Sequence, residues 1–315
     1  MNTGVRITAY AAALAATFGV AYGVGAGTDP VVAKKPPPAQ HEKAHDAGAG
    51  AGTEEKGEGQ GVAKLPAGGL QISDGGYRLD VEKTAIAAGA RTDLKFSIKD
   101  EHDRNLTSYE REHEKELHFI VASRDLTVFR HLHPTRAADG VWSIPVDLPK
   151  AGDYRVFADF TPSGKGGAAE EGGAHAEGGH AATATNLTLG ADLAVSGPYE
   201  PSDLPPVRAT SDVDGYQVAL DGALTPGKAS ALKLSVSKDG KPVNDLQPYL
   251  GAYGHLVALR AGDLAYLHVH PDGRSGAKVS FGATAPSDGS YRLFFDFKHE
   301  GKVRTAAFTV GAQGH

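Results

Sequence analysis

The sequence contains no cysteine and a single methionine, Met1. The first absence excludes disulfides, thiolate metal sites, thiol catalysis and a lipidated cysteine anchor. The second removes the thioether ligands that a cuprous site would use. A metal held by this chain must therefore be held by nitrogen and oxygen. A strong excess of charge of one sign is lacking as well: 32 Lys and Arg against 38 Asp and Glu leave a net charge of −6. That balance is mild and spread out, and it gives no reason to expect a nucleic-acid partner. No convincing amphipathic helix pattern occurs either. What the chain has in quantity is turn-forming residues, 41 glycines and 18 prolines, within 315 residues that are 40% hydrophobic. This suits two domains of ordinary size, each with a real core.

Residues 1–27 read as an export segment. A positive start with Arg6 is followed by an uncharged, alanine-rich run from Ile7 to Gly27, as in a signal peptide or a retained membrane anchor. Either way the remainder is expected outside the cytoplasm, secreted or anchored to the outer face of the cytoplasmic membrane. Residues 28–67, rich in proline, glycine, alanine and charge, have too little apolar surface to order themselves and read as a linker. A similar low-complexity insertion at 163–184 carries His175 and His180. The linker carries His41 and His45, and all four are expected to be solvated. The proline-rich stretch 198–209 separates a first domain, 68–197, from a second, 210–312.

The two domains are copies. LHFIVASRDLTVFRHLHP at 117–134 returns as GHLVALRAGDLAYLHVHP at 254–271, so that adding 137 to His118, His131 and His133 gives His255, His268 and His270. The offset continues through Pro134 and Pro271, Gly152 and Gly289, Tyr154 and Tyr291, and Asp159 and Asp296. It marks an internal duplication. On a strand, side chains alternate between faces, so both histidines of an HxH tripeptide project to one side. A two-residue hairpin turn at Arg124 and Asp125 would set His118 opposite His131, and one at Ala261 and Gly262 would set His255 opposite His268. Three imidazoles would then share a face in each copy, the donor set of a three-histidine zinc or cupric site. His113, in HEKELH, is a further candidate ligand, although its counterpart is Leu250.

About seven short alternating segments per copy indicate two β-sandwiches. PKAGDY before Tyr154 and PSDGSY before Tyr291 have the form of a tyrosine corner, in which a tyrosine hydroxyl returns to the backbone upstream. Tandem immunoglobulin-like sandwiches are expected, with a cupredoxin-like sandwich as the runner-up. The absence of cysteine rules out a blue-copper centre even there.

LHFIVASRDLTVFRHLHP with VWSIPVDLPKAGDYRVFADFTP, and YLGAYGHLVALRAGDLAYLHVHP, resemble a group of exported, mostly actinobacterial proteins. Their two units carry these HxHP hairpins, and they are usually labelled secreted or heavy-metal-related. The resemblance covers roughly residues 70–312. It implies an extracytoplasmic location and a link to metal, and it supplies no established activity.

Three functions are therefore expected in descending order. The first is an extracytoplasmic binder of copper(II) or zinc(II), with one three-histidine site per domain, acting in storage, delivery or resistance. The second is an Ig-like adhesion or interaction module whose histidines are structural. The third is a metal-dependent enzyme, for which Asp159, Asp296, Glu112 and Glu116 are the available acids, although no spacing places them in a site. A metal ion is the expected partner, an envelope protein a further one, and contact with the membrane is expected only through the N-terminal segment.

Overall fold

The computed structural model describes residues 67–163, 185–267, 269–275 and 277–314. The export segment, nearly all of the linker at 28–67 and the bulk of the insertion at 163–184 lie outside the described residues. All described residues belong to one compact unit built from strands, and among them no helix is long and apolar enough to cross a membrane.

The first sandwich runs through β1 (Ser73–Asp74), β2 (Tyr77–Val81), β3 (Ala85–Ala87), β4 (Thr92–Lys99), β5 (His118–Ser123), β6 (Phe129–Leu132), β7 (Thr135–Arg136), β8 (Trp142–Val146), β9 (Gly152–Phe160) and β10 (Leu187–Ser196). Its two sheets have the orders β1-β2-β4-β8-β7 and β3-β10-β9-β5-β6. The second runs through β11 (Thr210–Val213), β12 (Tyr216–Asp221), β13 (Ala229–Lys238), β14 (Lys241–Pro242), β15 (His255–Arg260), β16 (Tyr266–Leu267), β17 (Val269–Ser275), β18 (Lys278–Thr284), β19 (Gly289–His299) and β20 (Lys302–Ala312). Its sheets are β11-β12-β13-β18-β17, with β14 beside β13, and β16-β15-β19-β20.

Alternation drives this layering. In β12, YQVALD, buried and exposed residues alternate without a break, so Tyr216, Val218 and Leu220 enter the core while Gln217, Ala219 and Asp221 face outward. Leu94, Phe96 and Ile98 of β4 meet Phe119 and Val121 of β5 in the first core, where the Phe96 and Phe119 rings stack at 4.5 Å. Full burial of each such side chain contributes roughly 1.5–3 kcal/mol. Both tyrosine corners are present: the Tyr154 hydroxyl donates to the Lys150 carbonyl and the Tyr291 hydroxyl to the Ser287 carbonyl, each at 2.8 Å. Gly152 and Gly289, two residues before each tyrosine, take φ of +135° and +138°, where a side chain would be strained. The fold is a tandem of Ig-like sandwiches, and the cupredoxin-like alternative gives way to it.

Strands β5 and β15 depart from simple alternation. HFIVAS is buried at every position, as is HLVAL of β15, because these strands are covered on both faces. One face enters each sandwich's own core. The other forms a third apolar cluster shared by the two sandwiches, in which Ile120, Ala122, Leu126 and Phe157 meet Val257, Leu259, Tyr266 and Phe294. Phe129 stacks on Phe294 at 3.9 Å, and the Arg124 guanidinium donates to the Gly262 carbonyl. Strand parity puts His118 and Asp159 on this shared face with Ile120 and Phe157. It puts His255 and Asp296 there with Val257 and Phe294.

Candidate metal centre

Both hairpins close on four-residue loops and not on the expected two-residue turns. Phe119 pairs with Leu132 and Ile120 with His131; Ala258 pairs with Leu267 and Leu259 with Tyr266. In the first loop the Asp125 carboxylate accepts from the Thr127 amide and hydroxyl, the Ser123 hydroxyl accepts from the Val128 amide, and Leu126 turns to φ +57°. In the second, Asp263 accepts from the Ala265 amide and Leu264 takes φ +62°. These side chain to backbone bonds stabilise the wider loop. The register moves by two residues, so every side chain keeps its face. His131 stands opposite Ile120, one pleat away from His118, and His118 lies level with His133, just beyond the end of β6. Pro134 lacks the amide that would continue the ladder, and the chain crosses to the other sheet as β7.

His118, His131 and His133 converge. One ring nitrogen from each lies within 4.8 Å of the other two, and the ring centres are 4.8 to 5.3 Å apart. Acceptor-only partners assign the protons. His131 Nδ1–H donates to the Asp296 carboxylate at 2.8 Å, and His118 Nε2–H donates to the Glu112 carbonyl at 3.2 Å. What remains is His118 Nδ1 facing His131 Nε2 at 3.0 Å. In two neutral rings these are opposed lone pairs, an arrangement that a shared proton or a cation must relieve. His133 Nε2 is buried with no hydrogen-bond partner, which costs free energy unless something occupies it. Imidazole nitrogens ~2.0–2.1 Å from one tetrahedral ion stand about 3.3 Å apart, a spacing bracketed by these distances.

Electrostatics favour the ligating form. Burial first, then the neighbouring His131 and His133, lowers the pKa of His118 to about 2. Burial and His131 lower that of His133 to about 3. Burial lowers that of His255 to about 4, although the Tyr249 carbonyl acts against it. Neutral imidazole is the form that binds metal.

The site is not confined to the first sandwich. Asp296, which orients His131, is on β19, and both side chains are about 5% exposed. The Thr305 hydroxyl donates to its other oxygen. The His255 ring lies 6.1 Å from His118 and 6.0 Å from His131, and its Nε2–H donates to the Tyr249 carbonyl at 2.9 Å. Glu112 and Tyr249 are themselves repeat counterparts, each opening a tight turn with two residues at positive φ, His113 and Glu114 in one and Leu250 and Gly251 in the other. The His113 ring sits 5.1 Å from His255 and 6.2 Å from His118. His113, His118, His131, His255, Glu112 and Asp159 line one cleft of about 360 Å³ between the sandwiches.

A family model described as a domain of unknown function (DUF8832) matches residues 71–171 and 211–314, well over half of the chain. The chain belongs to the DUF8832 family. No curated protein matches it. Solved structures that match include FdeC, an Escherichia coli adhesin, at 14% identity over 76% of this chain and 64% of that one, with a TM-score of 0.24. Invasin, a bacterial integrin-binding protein, gives 13%, 76%, 39% and 0.22 in the same order. The titin domains Z1Z2 in complex with telethonin give 12%, 76%, 97% and 0.21. The chain spans less than two thirds of the adhesin chain. Superpositions this loose carry no argument about function.

Both DUF8832 matches contain an HxHP hairpin, but only the first is described in full. His268 lies outside the described residues, and His270 is placed by its backbone alone, on β17 opposite Gly282. Of the candidate acids, Asp296 touches a histidine, Asp159 lines the cleft and accepts from Tyr266 and Thr188, and Glu112 contributes its carbonyl. The Glu112 carboxylate is engaged by Thr161 and Asn186. Glu116 pairs with Arg136 instead. Thr188 and Thr305 belong to no motif in the sequence, yet each stands opposite the repeat aspartate of its sandwich. Their offset is 117 instead of 137 because only the first copy carries the insertion, and aligning the copies across that gap would have paired them.

Proposed function

We propose that this protein binds a divalent transition ion, zinc(II) or copper(II), outside the cytoplasm and without catalysis, at His118, His131 and His133. The observation that carries this reading is the pair of buried ring nitrogens held 3.0 Å apart by acceptors behind both rings, with the His133 Nε2 unpartnered beside them. A carboxylate behind a ligating imidazole raises its basicity and fixes its tautomer. Nitrogen-only donors select zinc or cupric ions over softer ones. His118 and His131 line the cleft between the sandwiches, a position that suits holding an ion for storage or delivery.

Metal analysis of protein purified without a histidine tag, before and after replacing His131 and His133 together by glutamine, tests the reading. Glutamine keeps polarity but is a poor ligand for these ions. The parent should retain zinc or copper and the variant should not, with both folded in metal-free buffer. A parent that takes up no ion would defeat the proposal.

A second reading has its own support. The His131–Asp296 bond crosses between sandwiches inside an otherwise apolar contact, so the histidines would serve as structural pins of an Ig-like interaction module. In that case the double variant should lose stability with no metal present.

A further inference from the structure

We infer that the ion is held by both sandwiches, with His255 of the second supplying the fourth ligand through Nδ1. The inference rests on the reading above and goes beyond it, since the repeat would assign His255 to a separate site in its own domain. Three observations support it. His255 is arranged as His118 is: a backbone carbonyl, Tyr249 for one and Glu112 for the other, takes its Nε2–H. This leaves Nδ1 as the only nitrogen with a free lone pair, and in His118 that same atom faces the triad. Second, the ring is in place to within a small movement, with centres 6.0 and 6.1 Å from His131 and His118, against 4.8 to 5.3 Å within the triad. Third, the sandwich that carries His255 already contributes to the site through Asp296, which holds His131 at 2.8 Å.

Four imidazoles close a tetrahedral ion, leaving no open position of the kind a catalytic zinc needs. Because His255 starts outside the triad, coordination has to draw β15 and β5 together at this end of the shared face. The ion then acts as a cross-link between the sandwiches. Whatever tightens their contact must raise ion affinity by the same factor, because coupling is reciprocal.

The test is a titration of the full chain with zinc(II) against a competing chelator, in the parent and in His255→Gln. Cobalt(II) absorption serves as the reporter of coordination number. The parent should bind one chelator-resistant ion per chain with four-coordinate cobalt bands. The variant should bind cobalt with an open, water-completed spectrum and lose affinity by ~10–100-fold or more, the scale set by removing even an orienting partner of a ligand. The ¹⁵N shifts of the His255 ring in the parent, with and without zinc(II), decide the matter even if the variant does not fold, because Nδ1 should move on binding. An unmoved Nδ1, an unaltered cobalt spectrum in the variant, or two tight ions per chain of which His255→Gln removes one would overturn the inference and leave the triad reading standing. A parent that binds no ion would overturn both.

Discussion

Asp296→Asn removes one charge and almost no volume, so it separates the ion's requirements from those of the fold. Asp296 is 4% exposed and accepts from His131 Nδ1–H and from the Thr305 hydroxyl. Asparagine can still accept from His131, and the Thr305 hydroxyl can rotate to meet the new amide. Without metal, the variant exchanges hydrogen bonds to a charged group, worth ~1.5–3 kcal/mol, for neutral ones worth ~0.5–1.5. It also recovers the cost of keeping a carboxylate out of water. These changes oppose each other, and the net change in unfolding free energy should stay within about 1 kcal/mol. With metal the balance differs, because a ligating imidazole takes on part of the ion's charge and only the carboxylate can answer it. Affinity should fall ~10–100-fold, which is about 1.4–2.7 kcal/mol. Chelator competition near neutral pH measures the affinity, and chemical denaturation of the metal-free protein measures the fold. Zinc affinity within twofold of the parent would refute the orienting role of Asp296. A metal-free stability loss that exceeds the affinity loss would mean that the aspartate serves the contact between sandwiches and not the site.

Other perturbations address other levels of the structure. Tyr154→Phe and Tyr291→Phe should each cost about 0.5–1.5 kcal/mol, the worth of one corner hydrogen bond, with ion uptake unchanged; a melt indistinguishable from the parent would remove the corners from the account of stability. Phe294→Ala, which deletes a ring stacked on Phe129, should cost ~3–5 kcal/mol as a cavity and should speed amide exchange in β5 and β15. Protection unchanged there would show that the shared face contributes little. Acid should destabilise the metal-free protein. His118, His133 and His255 have folded pKa values near 2, 3 and 4 against ~6.5 unfolded. Between those values the unfolded chain binds more protons, so stability is complete above about pH 6.5 and falls on acidification by up to about 1.4 kcal/mol per pH unit for each ring. Constant stability from about pH 6.5 down to 4.5 would contradict the burial of neutral imidazoles.

Much of this architecture was written in local pattern. Period-two alternation in segments such as YQVALD specifies a half-buried strand wherever it is placed, and GDY and GSY at the 137-residue offset specify a corner that closes through a bond four residues away. The shared face of His131 and His133 follows from strand geometry alone. His118 joined them despite the wrong turn, because a slip of two residues preserves parity. The turn itself was not legible: its width depends on where the Asp125 carboxylate and the Ser123 hydroxyl find amides, a choice made by side chains in three dimensions. The duplication also suggested one site in each copy, of which the second includes His268, outside the described residues. Repeat counting assigns His255 and Asp296 to the second copy, whereas packing β5 and β9 against β15 and β19 brings both beside the histidines of the first. A sequence records which face of a strand is apolar. It does not record what covers that face, and here the cover is the other half of the chain. The sequence by itself therefore determined the sandwiches and the side chains that gather on their shared face, imidazole without sulfur. Only the tertiary structure decided that an aspartate more than 160 residues away would hold His131, because contacts between two preformed sheets depend on their shapes and not on any spacing along the chain.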